Sequence, residues 1–162
     1  MSSSPLIVIG SGGHAAVVAD ALLAAGETVL GFTDADASRH GQRLCGLPVL
    51  GDDSVLGGHA PASLQLVNGI GGTGVAAGKH LRIKVQRGLE AQGWHFVAVR
   101  HPSAIVSPFA HIGAGAQLLA TCVVQAGAAV GDGCIVNTAA VVEHNVVLGE
   151  FCLLYTSDAA DE

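Results

Sequence analysis

Positive charge is the first thing this sequence lacks. It has 7 Lys and Arg against 13 Asp and Glu, a formal charge of −6, and no Lys or Arg follows Arg100. A nucleic-acid groove or an anionic membrane surface would have no basic patch to work with, so neither partner is expected. Charge of either sign is sparse, at 12% of residues, and aromatics make up 4%. The chain is nonetheless half hydrophobic, through Ala, Val, Leu and Ile, with 23 Gly between them. That excludes disorder and points to a regular, closely stacked backbone. Residues 112–131 carry no Asp, Glu, Lys or Arg, yet Gln117, Thr121, Gln125 and the glycines argue against a membrane span. The start is unlike a secretory signal, because Met1–Pro5 has no basic residue and the apolar run stops at Gly10. A cytoplasmic location is expected. Cys45, Cys122, Cys134 and Cys152 show no CxxC spacing, so no zinc knuckle, metal site or disulfide framework is expected and the cysteines read as packing residues.

What is present falls into two patterns within 162 residues, enough for one ordinary domain or two very small ones. Leu6–Ile9 reads as a β-branched strand, Gly10–Gly13 as a glycine turn, and His14–Ala25 as an apolar helix ended by Gly26. Val29–Phe32 reads as a second buried strand closing a parallel βαβ unit. Further strands are expected at Val49–Leu50, Leu64–Val67 and Phe96–Val99, an amphipathic helix at Lys79–Gln92, and loop in the Pro, Gly and Asp cluster of residues 46–63.

From Val106 the period becomes six. Val106, Ile112, Leu118, Val124, Val130, Val136, Val142 and Leu148 are aliphatic at every sixth position. Four residues after each stands a small or modest side chain: Ala110, Ala116, Cys122, Ala128, Cys134, Ala140, Val146 and Cys152. Neither a helix nor a hairpin has reason to hold this period. A three-sided parallel β-helix does, because each side takes one hexad and turns a corner. At about eighteen residues per coil, the hexads make fewer than three coils. Residues 152–162 read differently: Leu154 keeps the period, but Tyr155–Glu162 is polar and acidic. The string CLLYTSDAADE resembles the translated end of a transposon sequencing adapter, so residues 152–162 are expected to be a non-native tail on a protein cut off near Phe151.

GSGGH at Gly10–His14 lies between strand and helix, where backbone N–H groups and the helix dipole favour a phosphate. It is a partial dinucleotide fingerprint, since Ala15 stands where GxGxxG has its third Gly. His14 is either part of that site or a helix-start histidine without a ligand. Asp34, at the end of the second strand, is either an acceptor for a ribose or base, or a solvated turn acid. His144, in VVEHNVVLG between Glu143 and Asn145, falls on a prism face or near a corner, where a neutral imidazole serves as a general base or is a plain surface histidine.

The stretches LIVIGSGGHAAVVADAL, GFTDAD, NGIGGTG, VRHPSAIVSP, VVQAGAAVG and CIVNTAAVVEHNVVLGEF run in one order over residues 6–151. In them the chain resembles the sugar acyltransferases of the sialic acid O-acetyltransferase type, a hexapeptide-repeat family that includes bacterial enzymes acetylating UDP-linked amino sugars for glycan biosynthesis. The resemblance implies a Rossmann-like nucleotide-sugar-binding domain over residues 1–100, a left-handed β-helix acyltransferase domain over 101–151, acetyl-CoA as co-substrate, and a homotrimer with active sites between neighbouring prisms. It places Gly12, Gly13 and His14 against the nucleotide, Asp34 at its base or ribose, and Gly71 in the same pocket. His144 matches the proton acceptor, taking a proton from the sugar amine or hydroxyl as that atom attacks the thioester. Glu143 stands beside it as a lesser candidate.

The sequence departs from the family at two points. The residue after the base is usually Asp or Glu, which raises the basicity of the histidine; Asn145 can orient the ring but supplies no charge. The family's next histidine, which helps bind acetyl-CoA, falls at Leu153, and this chain is expected to be inactive. Two other readings compete: a non-catalytic nucleotide-binding or trimeric scaffold protein, and an NAD-dependent oxidoreductase, for which only the partial GxGxxG speaks.

Overall fold

The computed structural model describes residues 4–72 and 76–155. The chain forms two compact units, Met1–Val97 and Ala98–Glu162.

The first unit is built on β1 (Leu6–Ile9), α1 (Gly13–Ala24), β2 (Val29–Thr33), β3 (Arg43–Leu44), β4 (Leu47–Gly51), β5 (Gln65–Asn68) and α2 (Ala76–Glu90). The sheet order is β3-β4-β2-β1-β5, with β1 parallel to both β2 and β5, and β2 parallel to β4. All four residues of β1 are buried, as an unbroken aliphatic run must be with parallel neighbours on both sides. α1 ends in a Schellman motif: Gly26, at φ +77, donates to Leu23 O (3.0 Å) and Glu27 to Leu22 O (3.0 Å), a conformation glycine adopts without strain. Ile7, Ile9, Leu56, Leu64, Leu66, Leu89, Trp94 and Phe96 pack into one core cluster.

Three expectations for this unit need correction. β4 extends to both sides of Val49–Leu50, and residues 46–63 hold all of β4 and a 3-10 helix at Asp53–Gly58. β3 pairs antiparallel with β4 through Cys45 and Gly46, both at positive φ (52° and 75°). That geometry suits a tight hairpin, but Cys-Gly does not announce it as Asn-Gly would. Cys45 is therefore an exposed turn residue and not a packing one. The expected strand Phe96–Val99 also divides. Phe96 makes an isolated parallel bridge to Leu66, whereas Val99 opens the first strand of the second unit.

The second unit is a three-sided parallel β-helix of two-residue strands: β6 (Val99–Arg100), β7 (Ile105–Val106), β8 (His111–Ile112), β9 (Gln117–Leu118), β10 (Val123–Val124), β11 (Ala129–Val130), β12 (Ile135–Val136), β13 (Val141–Val142), β14 (Val147–Leu148) and β15 (Leu153–Leu154). Its faces are β13-β10-β7, β14-β11-β8 and β15-β12-β9-β6. All three are parallel, as the hexad repeat requires. Register is the eighteen-residue translation that three hexads require: Val106 beside Val124 and Val142, Ile112 beside Val130 and Leu148, Leu118 beside Val136 and Leu154. The aliphatic hexad positions and the small ones, Ala110, Ala116, Cys122, Ala128, Cys134, Ala140 and Cys152, share one interior cluster. Val146 is the exception and is exposed, because it lies beside the exposed β13–β14 corner.

A third periodic position turns the corners. Gly115, Thr121, Gly127, Gly133, Ala139, Asn145 and Phe151 all have φ between 55° and 76°, one in every hexad from 115 to 151. These seven corners adopt the left-handed conformation, and glycine fills three of them because it bears it without a Cβ clash.

Two expectations about length are corrected here. The ladder begins with β6, a hexad before β7, where Arg100 occupies the place of an aliphatic residue in register with Leu118. At the other end Cys152–Leu154 continues the coil, with Ile135 donating to Cys152 O (2.8 Å) and Asn137 to Leu154 O (3.0 Å). The described coils thus exceed the expected fewer than three. Residues 156–162, the rest of the expected tail, lie outside the described residues.

Candidate functional site

The first site lies where β1, β2 and β5 end. β1 runs into Gly10 (φ +94), and Gly12 opens α1 in an extended conformation with no side chain capping the helix start. The backbone N–H groups of Gly12 and Gly13 have no acceptor among the described residues and can meet an incoming anion. Around them is a cavity of about 380 Å³ whose lining includes Gly10, Ser11, Gly12, Gly13, His14, Thr33, Asp34, Asp53, Gly69 and Gly71. A Cβ on Gly12 or Gly13 would meet nothing within 4 Å, so both glycines border open space. A Cβ on Gly71 would lie 2.9 Å from His14 Cβ, so glycine there lets the β5 end approach the imidazole.

Asp34 closes this turn from β2. Its Oδ2 accepts from Ser11 N (3.1 Å) and from the Ser11 hydroxyl, and its Oδ1 accepts from Asp36 N (2.9 Å). Arg39 donates to Ser11 O (2.9 Å), and His40 Nε2 lies 2.7 Å from Asp34 O. Partial burial pushes the Asp34 carboxyl upward, but the Ser11 hydroxyl, the Asp36 and Ser11 amides and the Arg39 charge together hold it below its ordinary value. Asp34 is an anion that clamps the glycine turn in shape, with most of its acceptor capacity used inside the protein.

The second site is the corner between β13 and β14 in the other unit. Glu143, His144 and Asn145 are all exposed there. The Asn145 amide nitrogen lies 3.2 Å from His144 Nδ1, and the imidazole's Nε2 makes no hydrogen bond with any described residue. Asn145 holds the corner conformation at φ +62, which Asn tolerates better than most residues. One coil earlier Gly127 leaves room for it, since a Cβ there would collide with Asn145 Oδ1.

The residues singled out in the sequence thus gather in two places. Gly12, Gly13, His14, Asp34 and Gly71 line one cavity, and Glu143, His144 and Asn145 share one corner. Sequence reasoning missed Ser11, Asp53 and Gly69. Gly69 explains how Ala15 replaces the third fingerprint glycine: a Cβ on Gly69 would sit 2.8 Å from Ala15 Cβ and 2.6 Å from Val8 Cγ1. The close approach is made by a glycine on β5's end, fifty-odd residues away and invisible to a local motif. Among the described residues no group of three or more His, Cys, Asp or Glu could hold a metal, and no helix is long and apolar enough to cross a membrane.

Comparison with known proteins bears on both units. Residues 5–75 match the family model described as the PglD N-terminal domain. The acetyltransferase domain of PglB from Neisseria gonorrhoeae FA1090 is 34% identical, with a TM-score of 0.82 over 93% of this chain and 70% of that one. The same domain is known in complex with acetyl coenzyme A. PerB from Caulobacter crescentus, solved with CoA and GDP-perosamine, is 38% identical, with a TM-score of 0.80 over 92% of this chain and 67% of its own. No curated protein matches the chain. With this identity sustained over two thirds of each relative, the chain belongs to the hexapeptide-repeat sugar acetyltransferases represented by the PglB domain and PerB.

Proposed function

We propose that this enzyme, of the sialic acid O-acetyltransferase type, moves an acetyl group from acetyl-CoA to an amine or hydroxyl of a nucleotide-linked sugar. The observation that carries this reading is the glycine-turn cavity, an uncapped helix start with Gly12 and Gly13 open to space, in a chain of this family. A Rossmann-like segment over residues 1–100 holds the nucleotide: the Gly12–Gly13 backbone faces its phosphates, His14 and Gly71 flank them, and Asp34 fixes the turn that presents them. The β-helix over residues 101–151 carries the chemistry, in the cytoplasm and without nucleic-acid or membrane partners.

His144 is the general base in this reading. Its free Nε2 takes the proton from the sugar nitrogen or oxygen as that atom bonds to the thioester carbonyl carbon. The tetrahedral oxyanion then collapses, the C–S bond breaks, and the CoA thiolate leaves and takes up a proton. Base catalysis needs the tautomer with the proton on Nδ1, which the Asn145 amide supports when its oxygen faces the ring. Glu143 adds negative charge next door. A trimer is supported by the outer surface of the prism, where Ile105 and Val147 are 67% and 75% exposed and Val141 extends the apolar column of Ile105. Light scattering checks it, and a monomer would contradict the trimer.

The reading is tested with His144→Ala, by thiol release from acetyl-CoA in the presence of nucleotide amino sugars. Acetyl transfer should fall about 10²–10⁴-fold with nucleotide-sugar affinity unchanged. Retention of more than half the rate removes His144 from the mechanism.

A further inference from the structure

A second, open groove of about 540 Å³ adjoins the glycine-turn cavity within the first unit. Asp53, Leu81 and Val85 line both spaces, so the two are continuous. The junction residue is Asp53, in the turn after β4. Its Oδ1 accepts from the hydroxyl of the fully buried Thr33 at 2.6 Å, which pins the carboxylate in place. Its Oδ2 has no hydrogen-bond donor among the described residues. Past this junction α2 supplies an apolar strip, Leu81 and Val85, with Lys84 beside it and Gly88 opposite open space.

That combination fits a flat heteroaromatic ring. Apolar side chains cover its face, the missing side chain of Gly88 leaves it room, and the edge meets a carboxylate and an ammonium. The carboxylate decides which ring. Guanine presents N1–H and N2–H₂ side by side, the donor pair that two carboxylate oxygens accept, and its neighbouring O6 suits Lys84. Uracil offers one N–H between two carbonyls, and those oxygens would face the Asp53 anion. We propose that this groove takes the nucleobase of the acceptor, and that Asp53 selects a guanine edge over a uracil edge. The inference rests on the acceptor reading given above, and it adds the base class and the residue that reads it.

Calorimetric titration of the whole chain with GDP, IDP and UDP tests it, with Asp53→Asn and Gly88→Phe as variants and Gly88→Ala as control. Asn keeps an acceptor for Thr33, and thermal melts check that each variant is folded. The unaltered chain should bind GDP about ten- to a hundred-fold more tightly than UDP, and more tightly than IDP, which lacks the 2-amino group. Asp53→Asn should weaken GDP by a similar factor and erase its advantage over IDP. Gly88→Phe should weaken GDP at least about tenfold by filling the groove, and Gly88→Ala should not. Equal affinity for GDP and UDP, or unchanged GDP affinity in Asp53→Asn, overturns the assignment of Asp53 while leaving the nucleotide site standing. If none of the three nucleotides binds, the acceptor site itself is wrongly placed and this inference falls with it.

Discussion

The two units fill their interiors by different means. In the first, large side chains of varied shape converge from distant segments: Leu56 from the turn after β4, Leu89 from α2, and Trp94 and Phe96 from the segment after it. In the second, the core cluster holds only Val, Leu, Ile, Ala and Cys, and no aromatic. Translation explains the contrast. Each coil of a solenoid repeats the surroundings of the one before, so each position along the prism asks for the same kind of residue. An open sheet covered by helices gives every position its own surroundings, and no period results. The units also differ in charge. Of the seven cations only Arg100 belongs to the β-helix, so the prism is held by ladder hydrogen bonds and apolar packing.

A charge placed inside the prism should break the comparison most severely. Val130 is wholly buried between Ile112 and Leu148, and Val130→Asp has no donor within the apolar core to pair with. A loss of about 4 kcal/mol or more is expected. Hydrogen exchange read by mass spectrometry should show protection lost first across residues 99–154. Equal loss across β1 and β5 would mean that the two units unfold as one.

Acid should act on the first unit in particular. The carboxyl of Asp34 is held below its ordinary value when folded, so its contribution to stability is complete above the unfolded pKa and disappears as pH falls through the folded one. Melting followed from pH 6 down to pH 2 should show destabilisation of the glycine turn beginning near pH 4, roughly the ordinary carboxylate value, and Asp34→Asn should flatten that slope. An unchanged slope would move the acid sensitivity elsewhere.

Thiol reactivity separates the units more gently. Burial pushes the Cys122 thiol up to about 11, and Cys134 is buried with its S–H directed at Gly149 O (2.8 Å), whereas Cys45 is exposed. A disulfide reagent at neutral pH should label Cys45 first and leave Cys122 and Cys134 unreacted until the prism opens. Early labelling of Cys122 would show that the coils open freely. The smallest effect is a gain. Ala139 sits at φ +58, so Ala139→Gly should relieve strain that exceeds glycine's entropy cost and raise stability by about 0.5–1 kcal/mol by denaturant titration.

Legibility followed the same division. The hexads from Val106 to Leu148 and their small partners foretold the prism register, because a period of six has few structural causes. The first hexad escaped notice since Arg100 stands in an aliphatic position, and its side chain instead donates to Ala104 O (3.3 Å). The period-six corner was present in Gly115, Gly127 and Gly133, but Thr121, Ala139, Asn145 and Phe151 disguise it, since the backbone can force a left-handed turn on residues that do not advertise one. In the first unit β1, α1 and β2 were readable from local pattern and punctuation. The β3–β4 hairpin was not, because Cys45-Gly46 is a weak turn signal.

By itself the sequence determined the order of a βαβ unit and a hexad solenoid, the glycine turn, and a histidine flanked by Glu143 and Asn145. These are local or periodic properties, and a short window of residues contains their physical cause. Only the tertiary structure decided that Asp34 spends its lone pairs on Ser11 and Asp36, that Gly69 makes the room Ala15 would otherwise lack, and that Asp53 stands on Thr33 where two cavities meet. Each of these joins segments of chain remote from one another. Such contacts depend on how strands line up across a sheet, and no local pattern of residues encodes that alignment.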